Sequence, residues 1–123
     1  MKIYTKRGDG GSSSLYNGER RRKTNAVFRA LGDCDELSSA LGVAREFVAE
    51  LPDHEKKEAI SSTLEWLQSR LLDVGSCLAT PPSSSDAKLR RTEFSADHTQ
   101  VLEERIDELD EELPSLVRIG GRT

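Results

Sequence analysis

Apolar residues recur at helical spacing over most of the chain. Leu37, Leu41, Ala44 and Val48 follow one another at four, three and four positions, the pattern of one apolar helix stripe. Asp33 with Glu36 has the spacing of a capping box, so a helix is expected over roughly 34–50, closed by Pro52. Residues 24–31 read as a short connection anchored by Val27 and Phe28, with Gly32 as a break. A second helix is expected from about Asp53. Its stripe is Ile60, Leu64, Leu67, Leu71, Val74 and Leu78, a heptad-like seam that Pro81 and Pro82 stop. Ser83–Ser85 reads as a turn, and the polar stretch to Arg91 as mobile. Ser95, just after Phe94, is a candidate N-cap. A third helix then carries Leu102, Ile106, Leu109 and Leu113 on one face, with Pro114 as its end. No alternating strand pattern and no internal repeat is visible. The expected architecture is all-α: an antiparallel helical bundle in a single domain, 1–123, with three helices within 33–113. Trp66 falls off the second seam and is expected to face a neighbouring subunit or a further element. His54 and His98 read as surface residues.

The chemistry concentrates before the helices, in residues 1–23. Gly8, Gly10 and Gly11 lie within four residues. Such a backbone turns with positive φ and lets N–H groups approach a ligand. Successive N–H groups facing one concavity bind anions. Thr5, Ser12, Ser13 and Ser14 add hydroxyl donors, and Lys6 and Arg7 add charge. The physical reading is a polyphosphate-binding loop, with Lys6 inside the glycine nest and therefore more important than Lys23. The loop is neither G-x-x-x-x-G-K-[ST] nor G-x-G-x-x-G. A Gly/Ser-rich segment near a terminus is also the composition of a plain flexible loop.

Charge sharpens this reading. Residues 1–30 hold eight Lys/Arg against two Asp/Glu, a net of +6, and the remainder holds ten against twenty, a net of −10. A basic segment on an acidic body suits a local anion site better than a nucleic-acid track. The run Arg20–Lys23 fits a solvated basic stretch equally well. Cys34 and Cys77 are far apart with no second ligand at metal spacing. They are expected to be free, buried thiols in a reducing compartment. No apolar run is long enough to span a membrane. Neither a secretory signal nor a mitochondrial presequence is expected ahead of the loop, because the motif starts almost at Met1.

Three further segments extend the pattern. I-Y-T-K-x-G-D-x-G-x-S-S over Ile3–Ser14 is followed by G-E-R-x-x-K over Gly18–Lys23, G-x-x-D-E-L-S-S over Gly32–Ser39 and DVGSCLATP over Asp73–Pro81. Together, and in this order, they resemble the PduO-type ATP:corrinoid adenosyltransferases in their animal mitochondrial form. The resemblance runs from Met1 to about Leu116. It implies a ferritin-like five-helix bundle, here lacking its last two helices. It also implies transfer of the 5′-deoxyadenosyl group of ATP to cob(I)alamin with release of triphosphate. Thr5, Lys6, Arg7, Gly8, Ser13, Ser14 and Lys23 would then bind ATP, although the family pattern has Thr or a similar residue where this chain has Arg7. Asp35 would pair with an arginine across a subunit boundary beside the corrinoid. Mg²⁺ would accompany the phosphates without protein side-chain ligands, and no side chain is singled out as catalytic. The partners implied are ATP, a corrinoid and two further copies in a homotrimer in the mitochondrial matrix, with no nucleic acid and no membrane. Without its targeting segment the chain would otherwise be cytoplasmic.

Residues 114–123 diverge from the family, and the R-R-A-E-R-R-like cluster of its later helices does not occur in this sequence. The chain therefore reads as C-terminally truncated, its own activity is expected to be low, and its uncovered seams are expected to leave it partly molten or self-associated. The alternative is an inactive ATP-binding fragment or a non-catalytic helical interaction module.

Overall fold

A computed structural model describes residues 3–113. Two short strands, β1 (Ser12–Ser14) and β2 (Arg20–Arg22), precede four helices: α1 (Ala26–Val48), α2 (His54–Leu78), α3 (Asp86–Arg91) and α4 (Asp97–Glu111). The chain is mostly helical, as expected, with a two-stranded antiparallel sheet that the apolar pattern does not reveal. Pro114 and the rest of the segment expected to diverge, 114–123, lie outside the described residues.

The first helix starts well before the expected position. Asn25 is extended and its side-chain oxygen accepts from Val27 N–H at 3.1 Å. Its carbonyl then takes Phe28 N–H at 3.0 Å, the first turn of α1. This is an ordinary Asn N-cap, so residues 26–31 are helix rather than connection. Gly32 lies inside the helix. A helical glycine costs about 1 kcal/mol relative to Ala, which the half-buried Val27, Phe28 and Leu31 on the same helix offset. Asp33, Asp35 and Glu36 consequently sit mid-helix and form no capping box.

Asp53 caps α2 as expected, accepting from Lys56 N–H at 3.1 Å. α1 and α2 run antiparallel. Arg45 near the end of α1 bonds Gln68 at 3.0 Å and Glu65 at 3.4 Å, and the Gln68 amide reaches the Ser38 carbonyl at 2.9 Å. Further along, Leu31 packs over Gly75, where an added Cβ would lie 3.7 Å from Leu31 Cδ2.

The polar stretch expected to be mobile contains α3. Its six residues show no apolar period, but Lys88, Arg90 and Arg91 lie in its last turn, where cations suit the helix dipole. The N-cap of α4 is Ala96 rather than the expected Ser95, although the Ser95 hydroxyl accepts from Asp97 N–H at 3.2 Å just ahead of the helix.

α4 runs back along α2. At one end, the His98 ring stands 5.0 Å from Phe94 and 6.2 Å from Trp66, centroid to centroid. Arg70 lies 5.9 Å from the Trp66 ring and places Nη1 3.3 Å from His98 Nε2 and 3.0 Å from Asp73. At the other end Lys56 pairs with Glu112 at 3.1 Å. Trp66 therefore faces α4 of the same chain, and His98 is half-buried rather than a surface residue.

Burial is shallow. Among the described residues the one buried hydrophobic side chain is Leu15, 5% exposed. The stripe of α2 is half-buried, whereas Ile106 and Leu113 of α4 are 55% and 64% exposed. Cys34 is half-buried and Cys77 exposed, so neither is the buried thiol expected. No helix among the described residues is long and apolar enough to cross a membrane.

The revised start of α1 is testable by denaturant unfolding. Asn25→Ala should cost about 1 kcal/mol, and Asp33→Ala should change stability by less than about 0.5 kcal/mol. A larger loss at Asp33 would restore the later start.

Candidate functional site

The glycine loop is held by a hairpin, and the hairpin by the helices. Gly18, at φ 90°, closes a Leu15-Tyr16-Asn17-Gly18 turn with its N–H on the Leu15 carbonyl at 2.9 Å. Leu15 N–H then pairs with the Glu19 carbonyl at 2.8 Å, and Asn17 Oδ1 accepts Glu19 N–H at 2.9 Å. Gly18 is the left-handed residue that follows the turn, a common three-residue hairpin connection. The flanking strands give no sequence signal, because β1 and β2 are three residues each, all Ser and all Arg, with no apolar alternation.

The turn docks on the end of α2. Tyr16 N–H bonds the Ala79 carbonyl at 2.9 Å, beside buried Thr80 and Pro81. Ser83 bridges Asn17 and Glu19, each at 3.3 Å. Lys88 of α3 reaches the Tyr16 carbonyl at 3.1 Å and lies 4.7 Å from its ring, and Arg91 meets its hydroxyl at 3.4 Å. The Asp73–Pro81 segment thus has a structural role, because its last residues carry the hairpin.

Residues 3–11 lead into β1 and are almost wholly exposed. Asp9 N–H bonds the Lys6 carbonyl at 3.1 Å, Gly11 N–H the Gly8 carbonyl at 3.3 Å, and Lys23 N–H the Gly11 carbonyl at 2.9 Å. Gly11 takes the positive φ expected of the loop, 78°, while Gly8 and Gly10 do not. Lys6 does, at 56°. A left-handed residue other than Gly is strained by about 1–3 kcal/mol and is a pointer to function. Among the described residues, the backbone N–H groups of Arg7, Gly8 and Gly10 have no protein acceptor. These three donors are available to an anion.

The cations are arranged differently from the sequence expectation. Lys6 Nζ turns back to lie 5.8 Å from the Tyr4 ring. Lys23 Nζ instead rests on Gly8, 3.2 Å from where a Cβ would be. Lys23, rather than Lys6, therefore brings its ammonium to the glycines. Ser13 and Ser14 lie on opposite faces of β1, since strand side chains alternate. Ser14 shares its face with Ser12, and both hydroxyls meet the Arg20 guanidinium, at 3.4 Å and 2.7 Å. Sequence reasoning does not separate Arg20 from its basic run, because its role is visible only once the hairpin pairs Ser14 with Arg20. Thr5 and Arg7 belong to the exposed loop. Asp35 stands apart: it lines a groove with Leu31, Cys34 and Ser38 of α1 and Leu71 and Gly75 of α2, and none of its bonds reaches residues 3–23.

Residues 3–121 match the family model described as cobalamin adenosyltransferase. The chain belongs to that family. It is 47% identical over 127 residues to the corrinoid adenosyltransferase MMAB of Bos taurus, covering 99% of this chain and 51% of that protein. To the Homo sapiens protein of the same name it is 48% identical, with coverage of 94% and 44%. The Bacillus subtilis corrinoid adenosyltransferase is 36% identical, with coverage of 94% and 55%. The chain thus spans about half the length of these relatives. Its fold matches a variant PduO-type ATP:corrinoid adenosyltransferase of Lactobacillus reuteri complexed with cobalamin and ATP. The TM-score is 0.75 and the identity 31%, with coverage of 96% of this chain and 61% of that one. Another variant of that enzyme, complexed with ATP, gives a TM-score of 0.73 at 32% identity. The helical-bundle fold expected from the family resemblance is therefore present.

The placement of the two lysines can be checked by ATP titration. Lys23→Ala should weaken nucleotide binding about tenfold or more, as loss of a charged hydrogen bond does, and Lys6→Ala should weaken it less. The turn should respond to pH. The Arg21 guanidinium, 2.7 Å away, holds the Glu19 carboxyl below its ordinary range. A carboxyl more acidic in the folded than in the unfolded chain stabilises fully above the unfolded value and loses this as pH falls through the folded one. The Gly18 amide resonance should therefore shift in acid, and Glu19→Gln should abolish that transition.

Proposed function

We propose that the chain is the ATP-binding part of an ATP-dependent corrinoid adenosyltransferase, which transfers the 5′-deoxyadenosyl group of ATP to cob(I)alamin. The cobalt electron pair attacks ribose C5′, the Co–C bond forms, the C5′–O bond breaks, and triphosphate leaves with that bond's electrons. The leaving group carries most of the charge, so the protein must hold it and align C5′. The observation that carries this reading is the loop: the free N–H groups of Arg7, Gly8 and Gly10 beside the Lys23 ammonium. Thr5, Lys6, Arg7, Gly8, Ser14 and Lys23 line the triphosphate in this reading, with Ser13 on the other face of β1.

Mg²⁺ would be held chiefly by phosphate oxygens and water. Asp9 is the one exposed carboxylate of the loop, and no group of three His, Cys, Asp or Glu gathers among the described residues. The side chains thus suit an ion that arrives with ATP. It would supply charge neutralisation of the phosphates. Asp35, on its groove between α1 and α2, is the proposed contact to a neighbouring subunit of a homotrimer and to the corrinoid. A mitochondrial matrix location rests on the resemblance to the animal form of the family, to which the Bos taurus and Homo sapiens relatives at 47% and 48% identity belong.

Thermal unfolding with ATP or inorganic tripolyphosphate tests the proposal. Either ligand at about a hundred times its Kd should stabilise the chain by about 2.7 kcal/mol. Supplied with cob(I)alamin, ATP and Mg²⁺, the 123-residue polypeptide should turn over at least about 10²–10³-fold more slowly than a full-length relative, since even one lost charge-stabilising contact has that effect. Comparable turnover would show that the residues present suffice. A non-catalytic helical interaction module is the second reading, favoured by the exposed Phe47, Ile106, Leu109 and Leu113. It predicts no stabilisation by either ligand.

A further inference from the structure

Resting on the ATP-binding reading, we propose that Arg20 is the positioning residue of the phosphate loop. It grips the loop by its carbonyls so that the Gly8 N–H faces the triphosphate. Arg20 Nη2 donates to the Arg7 carbonyl at 3.0 Å, the Ser12 carbonyl at 3.2 Å and Ser12 Oγ at 2.7 Å, while Nη1 reaches Ser14 Oγ at 3.4 Å. Residues 7 and 12 flank the glycine stretch, so one guanidinium ties its two ends together.

The direction of these bonds matters. The Arg7 carbonyl and the Gly8 N–H belong to one planar, trans peptide unit, in which the two groups point opposite ways. Drawing the carbonyl toward Arg20 turns the Gly8 N–H away from it, onto the face where that donor has no protein acceptor. A cation on the carbonyl also polarises the same unit and strengthens its N–H as a donor.

The charge is available for this. All the Arg20 acceptors are neutral, and among the described residues no carboxylate pairs with it, whereas neighbouring Arg21 is paired with Glu19. The Arg7–Ser12 bridge runs through Nη2 while Nη1 holds Ser14, so a lysine, with one nitrogen on a shorter side chain, cannot make both sets of contacts.

The test uses the ¹⁵N-labelled 123-residue chain with Arg20→Ala and Arg20→Lys. Without ligand, the backbone NOE values of Gly8, Gly10 and Gly11 should fall in both variants, while Gly42 and Gly75 in the helices stay unchanged. On titration with tripolyphosphate, the Gly8 amide of the unmodified chain should shift to saturation. Arg20→Ala should bind about tenfold or more weakly, and Arg20→Lys, which loses part of the grip, should also bind more weakly than the unmodified chain. If Arg20→Lys binds as the unmodified chain does although its loop NOE values fall, Arg20 contributes charge alone and the inference fails while the ATP reading stands. Unchanged loop NOE values in Arg20→Ala overturn it equally. If the unmodified chain binds neither ATP nor tripolyphosphate, the ATP reading falls and takes the triphosphate with it, yet collapse of loop order in the variants still establishes Arg20 as the positioning residue.

Discussion

The glycine loop and its hairpin depend on one backbone hydrogen bond, from Tyr16 N–H to the Ala79 carbonyl. Ala79 is the C-cap of α2, and the last carbonyls of a helix lack partners within it. The hairpin supplies one. A two-stranded hairpin alone is marginal in water, and these strands are only three residues each. The docking bond, with Lys88 on the Tyr16 carbonyl and Leu15 buried alongside, turns a weak ribbon into a fixed arm. From that arm Arg20 and Lys23 reach back to the glycines.

The helices contribute position more than burial. Their stripes are half-buried, and α4 leans on α2 mainly through the Trp66–His98–Phe94 cluster and the Lys56–Glu112 pair. An exposed ion pair adds at most about 1 kcal/mol, so the aromatic cluster is the firmer of the two attachments. α1 and α2 are joined differently, by the polar clasp of Arg45, Gln68 and Ser38 and by close approach at Gly75. That pair carries the hairpin at one end, which makes it the part of the bundle on which the loop depends.

Much of this is legible in the residues. Period and stop signals locate α2 nearly to the residue, because Asp53 and the Pro81-Pro82 pair bracket an unbroken seam. The start of α1 is misplaced when Gly32 is weighted as a break, and tertiary packing overrides a propensity of that size. The hairpin is hidden because Ser and Arg strands lack an apolar face, which leaves the Asn-Gly turn as the remaining signal. The loop is recognisable from its glycines, yet the ammonium that rests on Gly8 is that of Lys23 rather than Lys6. Proximity in sequence puts Lys6 in the nest, whereas strand pairing brings Lys23 back to it. Arg20 is illegible for the same reason: its four bonds all cross the hairpin.

This arrangement separates the source of order from the source of binding. The N–H groups available to a ligand lie on exposed residues that bury nothing, so they contribute no hydrophobic stabilisation of their own. For Arg7 and Gly8 the geometry is fixed instead by the carbonyls on the opposite side of the same peptides, that of Lys6 by its turn bond to Asp9 N–H and that of Arg7 by Arg20. Those carbonyls in turn depend on a hairpin whose anchor is the end of α2, while α4 attaches elsewhere along that helix. Damage at the Trp66–His98 cluster and damage at Ala79 therefore act through different contacts, and distant sites without shared partners contribute nearly additively. Loosening α4 should lower the stability of the bundle while leaving loop geometry intact, whereas loosening the hairpin anchor should disorder the loop with the bundle still folded. A loop ordered in this way can offer several donors to a highly charged group without enclosing it, which suits the proposed reaction, in which triphosphate is held during transfer and then released.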